Sequence, residues 1–286
     1  MRLDHIVAAA DESDAGRAVV RTASDLARRV SGKLTIMRTL SGSPVLDLAE
    51  ACRIPGRAGP AWRRSAEDQL RDWAAGELPP PDERPPLEVA VTYGLPGVEI
   101  SRFAETREAD LVVLGRKRRT ERTRLLLGDT ADAVARRSRL PCLFVQSGGR
   151  PIRRVMAALD ATDRGAHVLA AAVDFAVAIG AELRLVTVER LHAGEPSDLA
   201  AGLPTEGSMR LQSRVREALG ERYGGVVLDI RRGAVVEQVL AAVEETGSDV
   251  LVLGYHRGGP PGILDAGSTA RCLAHTASSA VLTVPL

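Results

Sequence analysis

The sequence predicts two copies of one α/β domain, each built on a five-stranded parallel sheet. Three observations carry that prediction. The chain has 286 residues, room for two domains of ordinary size. Short apolar runs alternate with amphipathic stretches, the pattern of strands joined by crossover helices. The pattern also occurs twice. His5-Ile6-Val7-Ala8-Ala9-Ala10-Asp11 returns as Arg154-Val155-Met156-Ala157-Ala158-Leu159-Asp160, offset by 149 residues. Ala109-Asp110-Leu111-Val112-Val113-Leu114-Gly115 returns as Ser248-Asp249-Val250-Leu251-Val252-Leu253-Gly254, offset by 139. Gly94 and Gly233, and Gly128 and Gly267, keep the second offset. The second copy is thus ten residues shorter, and the difference is expected between its second and third strands, where 189–225 face 40–86. A period this long means two domains of one fold, not a solenoid. Ser147-Gly148-Gly149-Arg150-Pro151 reads as a short linker, which gives domains 1–147 and 152–286.

Each element has a local reason. Ile6 to Ala10 is a short apolar run, as a strand buried on both faces requires. Ser13 or Asp14 can cap the helix that follows. Val19, Ala23, Leu26, Ala27 and Val30 share one face of that helix. Gly32 stands where a left-handed C-cap is expected. Leu34 to Met37 is the second strand. The second copy repeats this with Thr162 or Asp163 as cap, then Val168, Ala172, Phe175, Ala176 and Ile179, then Gly180, then a strand from Leu183 to Val188. Leu87 to Thr92 and Val226 to Ile230 are third strands. Leu111 to Leu114 and Val250 to Leu253 are fourth strands, each ending in Gly. Cys142 to Val145 and Ala280 to Val284 close the copies. Gly42 to Pro60 and Leu78 to Pro86 are rich in Gly and Pro and read as loops. Strand–helix alternation implies right-handed crossovers and a parallel sheet.

Composition excludes several classes. At 45% hydrophobic and 26% charged, the chain can bury a core and is not disordered as a whole. It has no apolar run of 18 residues and no signal-peptide pattern after Met1, so no membrane association is expected. A net charge of +1 argues against DNA binding driven by phosphate neutralisation. The halves differ: residues 1–150 hold 25 basic and 21 acidic residues, and residues 151–286 hold 13 and 16. Three cysteines, Cys52, Cys142 and Cys272, are too few and too scattered for a disulfide framework or a zinc site. A reducing, cytoplasmic compartment is expected.

Ligands of an open parallel sheet bind beyond the carboxyl ends of its strands. Asp11 and Asp160 follow the first strands there, and Gly115 and Gly254 the fourth. Gly267-Ser268-Thr269-Ala270 opens the last helix of the second copy. Free N–H groups, two hydroxyls and a helix dipole are the parts of a phosphate site. The same residues also suit a plain N-cap. Asp160 likewise reads either as a ligand contact or as a carboxylate that satisfies backbone N–H groups.

Other groups point to less. Arg116-Lys117-Arg118-Arg119, with Arg122 and Arg124, reads as a solvated loop, because no aromatic residues are interleaved for base stacking. His192, His256 and His275 lack metal-ligand spacing. Cys142, on a buried strand, reads as an inert small hydrophobe. There is no Walker-type loop, nucleophile elbow or kinase signature, so no catalytic residue is assigned. His256 is the one acid–base candidate for a small-molecule transferase.

These features in this order resemble a tandem universal stress protein. They are the apolar strand ending in Asp, Gly94-Leu95-Pro96 and Gly233-Ala234 after the third strand, Ala-Asp-Leu-Val-Val-Leu-Gly, and the late Gly-Ser before the final helix. The resemblance spans nearly the whole chain. It implies a Rossmann-like fold of the adenine-nucleotide α-hydrolase type. The family's motif is Gly, two residues, Gly, nine residues, then Gly and Ser or Thr. The second copy matches with Gly254, Gly267 and Ser268, followed by Thr269, and departs at Arg257. The first copy matches with Gly115 and Gly128, followed after Asp129 by Thr130, and departs at Arg118 and Asp129. The resemblance therefore favours the second copy as the nucleotide site. It also implies that Asp160 and Val188, or Asp11 and Thr39, hold the adenosine end. It implies an ATP-binding or other adenine-nucleotide-binding stress-response regulator, with Mg at the phosphates and at most slow hydrolysis. The copies would pack as an intramolecular pseudo-dimer through their last strands, which would remove exposed edges, or whole chains would pair as a homodimer. The rival reading is a nucleotide-free scaffold that acts through protein–protein contacts.

Overall fold

Ile6, Val7 and Ala8 are all fully buried. Successive strand residues point to opposite faces, so the sheet that carries them is covered on both sides, as a parallel sheet must be. The computed structural model describes residues 1–41, 60–116, 129–148, 150–189, 205–220, 226, 228–256 and 268–286. Its compact units are Leu3–Arg150, and Pro151–Leu286 together with Met1–Arg2.

In the first lobe the order is β1 (His5–Ala9), α1 (Asp14–Arg29), β2 (Lys33–Leu40), α2 (Pro60–Ala75), a 3-10 turn (Pro81–Glu83), β3 (Leu87–Tyr93), α3 (Pro96–Thr106), β4 (Leu111–Arg116), α4 (Asp129–Arg137) and β5 (Cys142–Gln146). The strands run parallel in the order β3-β2-β1-β4-β5. The second lobe repeats this: β6 (Arg154–Leu159), α5 (Asp163–Ile179), β7 (Glu182–Glu189), α6 (Glu206–Leu219), β8 (Leu228–Arg232), α7 (Val235–Thr246), β9 (Val250–Tyr255), α8 (Ser268–Thr276) and β10 (Ala280–Pro285). Its order is β8-β7-β6-β9-β10, again parallel. No described helix is long and apolar enough to cross a membrane.

The repeat extends to single hydrogen bonds. The N–H of Gly94 donates to the carbonyl of Leu40 at 3.1 Å, and the N–H of Gly233 to that of Glu189 at 3.1 Å. Both glycines have positive φ, 143° and 126°, which a side chain would strain. These matched bonds place the length difference between the second and third strands. Asp110 precedes β4, and its Oδ2 accepts the N–H of His5 at 2.9 Å. Asp249 takes the N–H groups of Arg153 and Arg154, each at 2.9 Å. This recurrent Asp therefore ties strand starts together at the amino end of each sheet.

Helix starts follow their caps. The Ser13 side chain accepts from the N–H of Gly16, and that of Thr162 from the N–H of Arg164; such caps contribute about 1 kcal/mol each. The apolar face of α5 is buried as its spacing requires, with Phe175 and Ala176 at 0% exposure.

Four expectations need correction. Gly180 adopts the left-handed conformation (φ 64°), but after α1 that role falls to Ser31 (φ 53°), not Gly32. Gly32 serves a close approach instead: a Cβ there would lie 2.6 Å from the carbonyl oxygen of Leu3. The third strand of the second lobe runs Leu228–Arg232, past the expected end at Ile230, because β7 continues to Glu189 and pairs it with Arg232; residue 227 lies outside the described residues. The stretch before β3 holds a 3-10 turn, and Pro60 opens a helix, a position that suits proline. Residues 42–59 of the expected loop lie outside the described residues. Arg116 is not in a solvated loop: β4 continues through it, pairing it with Gln146, and leaves it 4% exposed. Burial pushes its guanidinium down to about 10. The rest of the basic run is outside the described residues.

Burial pushes the Cys142 thiol up to about 12, against a smaller opposite effect of a hydrogen bond with Ser138. A thiol kept protonated and covered does not react. Cys142 is expected to stay unmodified by an alkylating reagent at neutral pH until the chain unfolds, as read by mass spectrometry, while half-buried Cys272 reacts earlier.

In the second lobe Glu189 ends β7 and anchors α6. Its carboxylate accepts the N–H of Thr205 at 2.7 Å, the Ser208 hydroxyl, and Nε of Arg232 at 2.9 Å. Burial alone would raise its pKa. The donors from Ser208, Thr205 and Arg232 outweigh burial and hold it at about 2, below its usual 4.5. A carboxyl depressed in the folded state stabilises above its unfolded pKa and loses that effect as pH falls through the folded one. The stability advantage of the natural chain over Glu189→Gln should therefore be full above pH 4.5 and shrink toward pH 2. Denaturant titrations across that window would check it, and an unchanging difference would count against the network.

Candidate functional site

Strand order reverses between β1 and β4, and between β6 and β9. Neighbouring crossovers diverge there and leave a crevice beyond the carboxyl ends of the strands. In the first lobe this crevice is a cleft of about 690 Å³, within the usual range for small-molecule sites. Asp11, Thr39, Gly115 and Thr130 line it, together with Arg38 and Asp129. Four of the residues singled out in the first copy are thus brought together.

Asp11 has two faces. Its Oδ1 accepts the Ser13 hydroxyl and, at 3.1 Å, the Ser13 N–H, so it braces the start of α1. Its Oδ2 makes no hydrogen bond to a described residue. Asp160 does the same with Thr162, at 3.1 Å to the N–H and 2.6 Å to the hydroxyl. The reading as a carboxylate that satisfies backbone N–H groups is thus met by one oxygen of each Asp. Thr39 exchanges a hydrogen bond with Thr92 across the strand ends at 2.9 Å. Val188 takes the matching place on β7 and is half-buried.

Each fourth strand runs one residue past its glycine, and those glycines have a packing reason. A Cβ on Gly115 would lie 3.1 Å from Cβ of Ala15, and one on Gly254 would lie 3.0 Å from Cγ2 of Val168 and 2.6 Å from Cδ1 of Leu286. Glycine lets the first helix of each lobe lie close over that strand.

The helix starts differ between lobes. Asp129 and Thr130 open α4, with Asp129 exposed. A carboxylate there already complements the positive end of the helix dipole. Ser268 and Thr269 open α8. Arg118, Gly128, Arg257 and Gly267 lie outside the described residues. Among the described residues no group of three or more His, Cys, Asp or Glu is placed to hold a metal ion.

Two further pairs carry no local sequence signal. In the first lobe Nη1 of Arg38 reaches Oε1 of Glu12 at 2.6 Å, beside Asp11. The matching positions in the second lobe are Thr187 and Ala161, both uncharged. In the second lobe Nη1 of Arg164 lies 3.1 Å from Nε2 of His256. The guanidinium can only donate, so the imidazole accepts through Nε2 and its lone pair is used. Position 164 corresponds to Ala15, so the second lobe carries a cation where the first has a methyl group.

Gly16 and Gly165 were also hidden. A Cβ on Gly16 would sit 1.8 Å from the carbonyl oxygen of Asp11, and one on Gly165 2.1 Å from that of Asp160. A signal for them exists: Asp-x-Ser/Thr-Asp-x-Gly occurs at 11–16 and again at 160–165.

The universal stress protein family model matches residues 2–146 and again 151–285. A universal stress protein of Methanocaldococcus jannaschii is 37% identical over 60 residues, which cover 21% of this chain and 35% of that protein's length. A universal stress protein structure from Archaeoglobus fulgidus superposes with a TM-score of 0.70 at 16% identity, covering 100% of this chain and 99% of its own. A Pseudomonas aeruginosa structure assigned to the same family gives 0.64 at 16% identity, over 99% and 93%. At such identity these structures establish the fold alone, and they agree with both sheets described above. Matched twice along nearly its full length, this chain belongs to the universal stress protein family, with two family domains in tandem.

Proposed function

We propose that this chain binds an adenine nucleotide, ATP foremost, in its second lobe, as a regulatory signal in a cytoplasmic stress response with little or no hydrolysis. The observation that carries this reading is the first-lobe cleft. Residues as far apart as Asp11, Thr39, Gly115 and Thr130 line one cavity of nucleotide size, and the repeat places Asp160, Val188, Gly254 and Thr269 at the matching positions. Charge selects the lobe. Asp129 would face a polyphosphate with a like charge, whereas Ser268 opens the matching helix, and Arg164 and His256 stand near Gly254. Mg would arrive with the phosphates, which commonly complete its shell beside one or two carboxylates. The nucleotide regulates by its differential affinity for two states of the chain.

The test is to denature the natively purified chain and identify any released ligand by mass spectrometry, then to titrate the emptied chain with ATP by calorimetry. One tight site per chain is expected. No released nucleotide and no heat with ATP would leave the scaffold reading in its place.

A further inference from the structure

We infer that the first lobe is a second, differently selective site, and that its ligand is a nucleoside with a phosphate on a secondary hydroxyl of its ribose and no polyphosphate tail. The inference rests on the nucleotide reading for the orientation of the ligand, with the nucleoside at the Asp11 and Thr39 end and the tail toward α4.

Among the described residues that line the first-lobe cleft, the one cation, Arg38, stands at the nucleoside end with Asp11, and the tail end carries a carboxylate, Asp129, where ATP would place its phosphates. At the tail end, Asp129 lines the cleft and occupies the first position of α4. The protein's own carboxylate thus complements the helix dipole, and an incoming polyphosphate meets like charge. At the nucleoside end, Arg38 lines the same cleft, next in sequence to Thr39. Its guanidinium is held through Nη1 by Glu12, the residue after Asp11. Glu12 is well exposed, 58%, and Arg38 partly so, 32%; an ion pair of this kind contributes little. A phosphate dianion can displace Glu12 and take the planar guanidinium fork in a bidentate grip. An arginine near the ribose is a general means of accommodating a ribose phosphate. The second lobe has the inverse arrangement: Thr187 and Ala161 replace the pair at the nucleoside end, and Arg164 and His256 add basic groups near Gly254. The lobes share a fold, and their charges select for different positions of the phosphate.

The experiment uses the full chain carrying Ser268→Asp, which silences polyphosphate binding in the second lobe on the reading above. Calorimetry compares adenosine 3′-monophosphate, adenosine 2′-monophosphate, adenosine and ATP. At least one ribose monophosphate should bind at one site per chain, at least tenfold tighter than adenosine or ATP. Adding Arg38→Gln should bring that ligand down to the affinity of adenosine, in a chain whose circular dichroism spectrum and melting match those of the Ser268→Asp parent. Adding Glu12→Gln should keep or tighten the ribose monophosphate. Equal affinity with and without Arg38, or a preference for ATP in the Ser268→Asp chain, overturns the inference. Failure of both ribose monophosphates in a chain whose natural form binds ATP overturns this inference and leaves the second-lobe reading standing. Binding of a ribose monophosphate with no ATP binding in the natural chain overturns the second-lobe reading instead.

Discussion

Gly16→Ala is expected to destabilise the first lobe by about 3 kcal/mol, at the upper end of what overpacking a well-packed site usually costs. The added methyl carbon would stand 1.8 Å from the carbonyl oxygen of Asp11. Backbone cannot swing aside as the end of a long side chain can, so α1 must lift away from the end of β1. That movement would loosen the Ser13 cap and the brace between Ser13 and Asp11. Gly165→Ala should act alike in the second lobe, where the distance is 2.1 Å. At roughly 2–4 °C per kcal/mol for domains somewhat larger than these lobes, melting should fall by about 6–12 °C. Gly76→Ala is the control. Gly76 is exposed, has no positive φ, and would bring its Cβ no nearer than 3.7 Å to the Trp73 carbonyl oxygen. Melting followed by circular dichroism checks the pair. A Gly16→Ala chain that melts with the control would mean that α1 is not seated on β1 as described.

Ser268→Asp should abolish measurable ATP binding, whereas Asp129→Ser should leave it unchanged or add a weak second site. These positions open the matching helices α8 and α4. Two unit charges about 4 Å apart interact by roughly 4 kcal/mol at an effective dielectric near 20. That corresponds to about a thousandfold in affinity. Asp129 applies the same repulsion in the natural first lobe. Calorimetric titration of both variants with ATP decides. Two equal sites in the natural chain, or tight ATP binding that survives Ser268→Asp, would remove the argument from charge.

Much of this molecule is legible residue by residue. The doubled pattern, the strands, the caps at Ser13 and Thr162 and the buried face of α5 follow from local rules. Apolar side chains leave water, and a strand or helix repeats its exposure with a fixed period. The Asp that follows each first strand and the Gly near the end of each fourth could be found because the chain states them twice.

What only the tertiary structure decided is what lies opposite what. The 1.8 Å approach at Gly16 and the close seat of Gly32 under Leu3 depend on how a helix or turn returns to a strand already laid down. Arg116 reads as part of a basic loop, yet β4 runs on through it because Gln146 offers it a partner strand. Arg38 meets Glu12, and Arg164 meets His256, across gaps in sequence that no periodicity spans. The sequence alone determined that this is a tandem α/β protein of the universal stress protein type. The crossovers, which bring strand ends and helix starts from distant segments to one crevice, decided which charges stand together in each lobe.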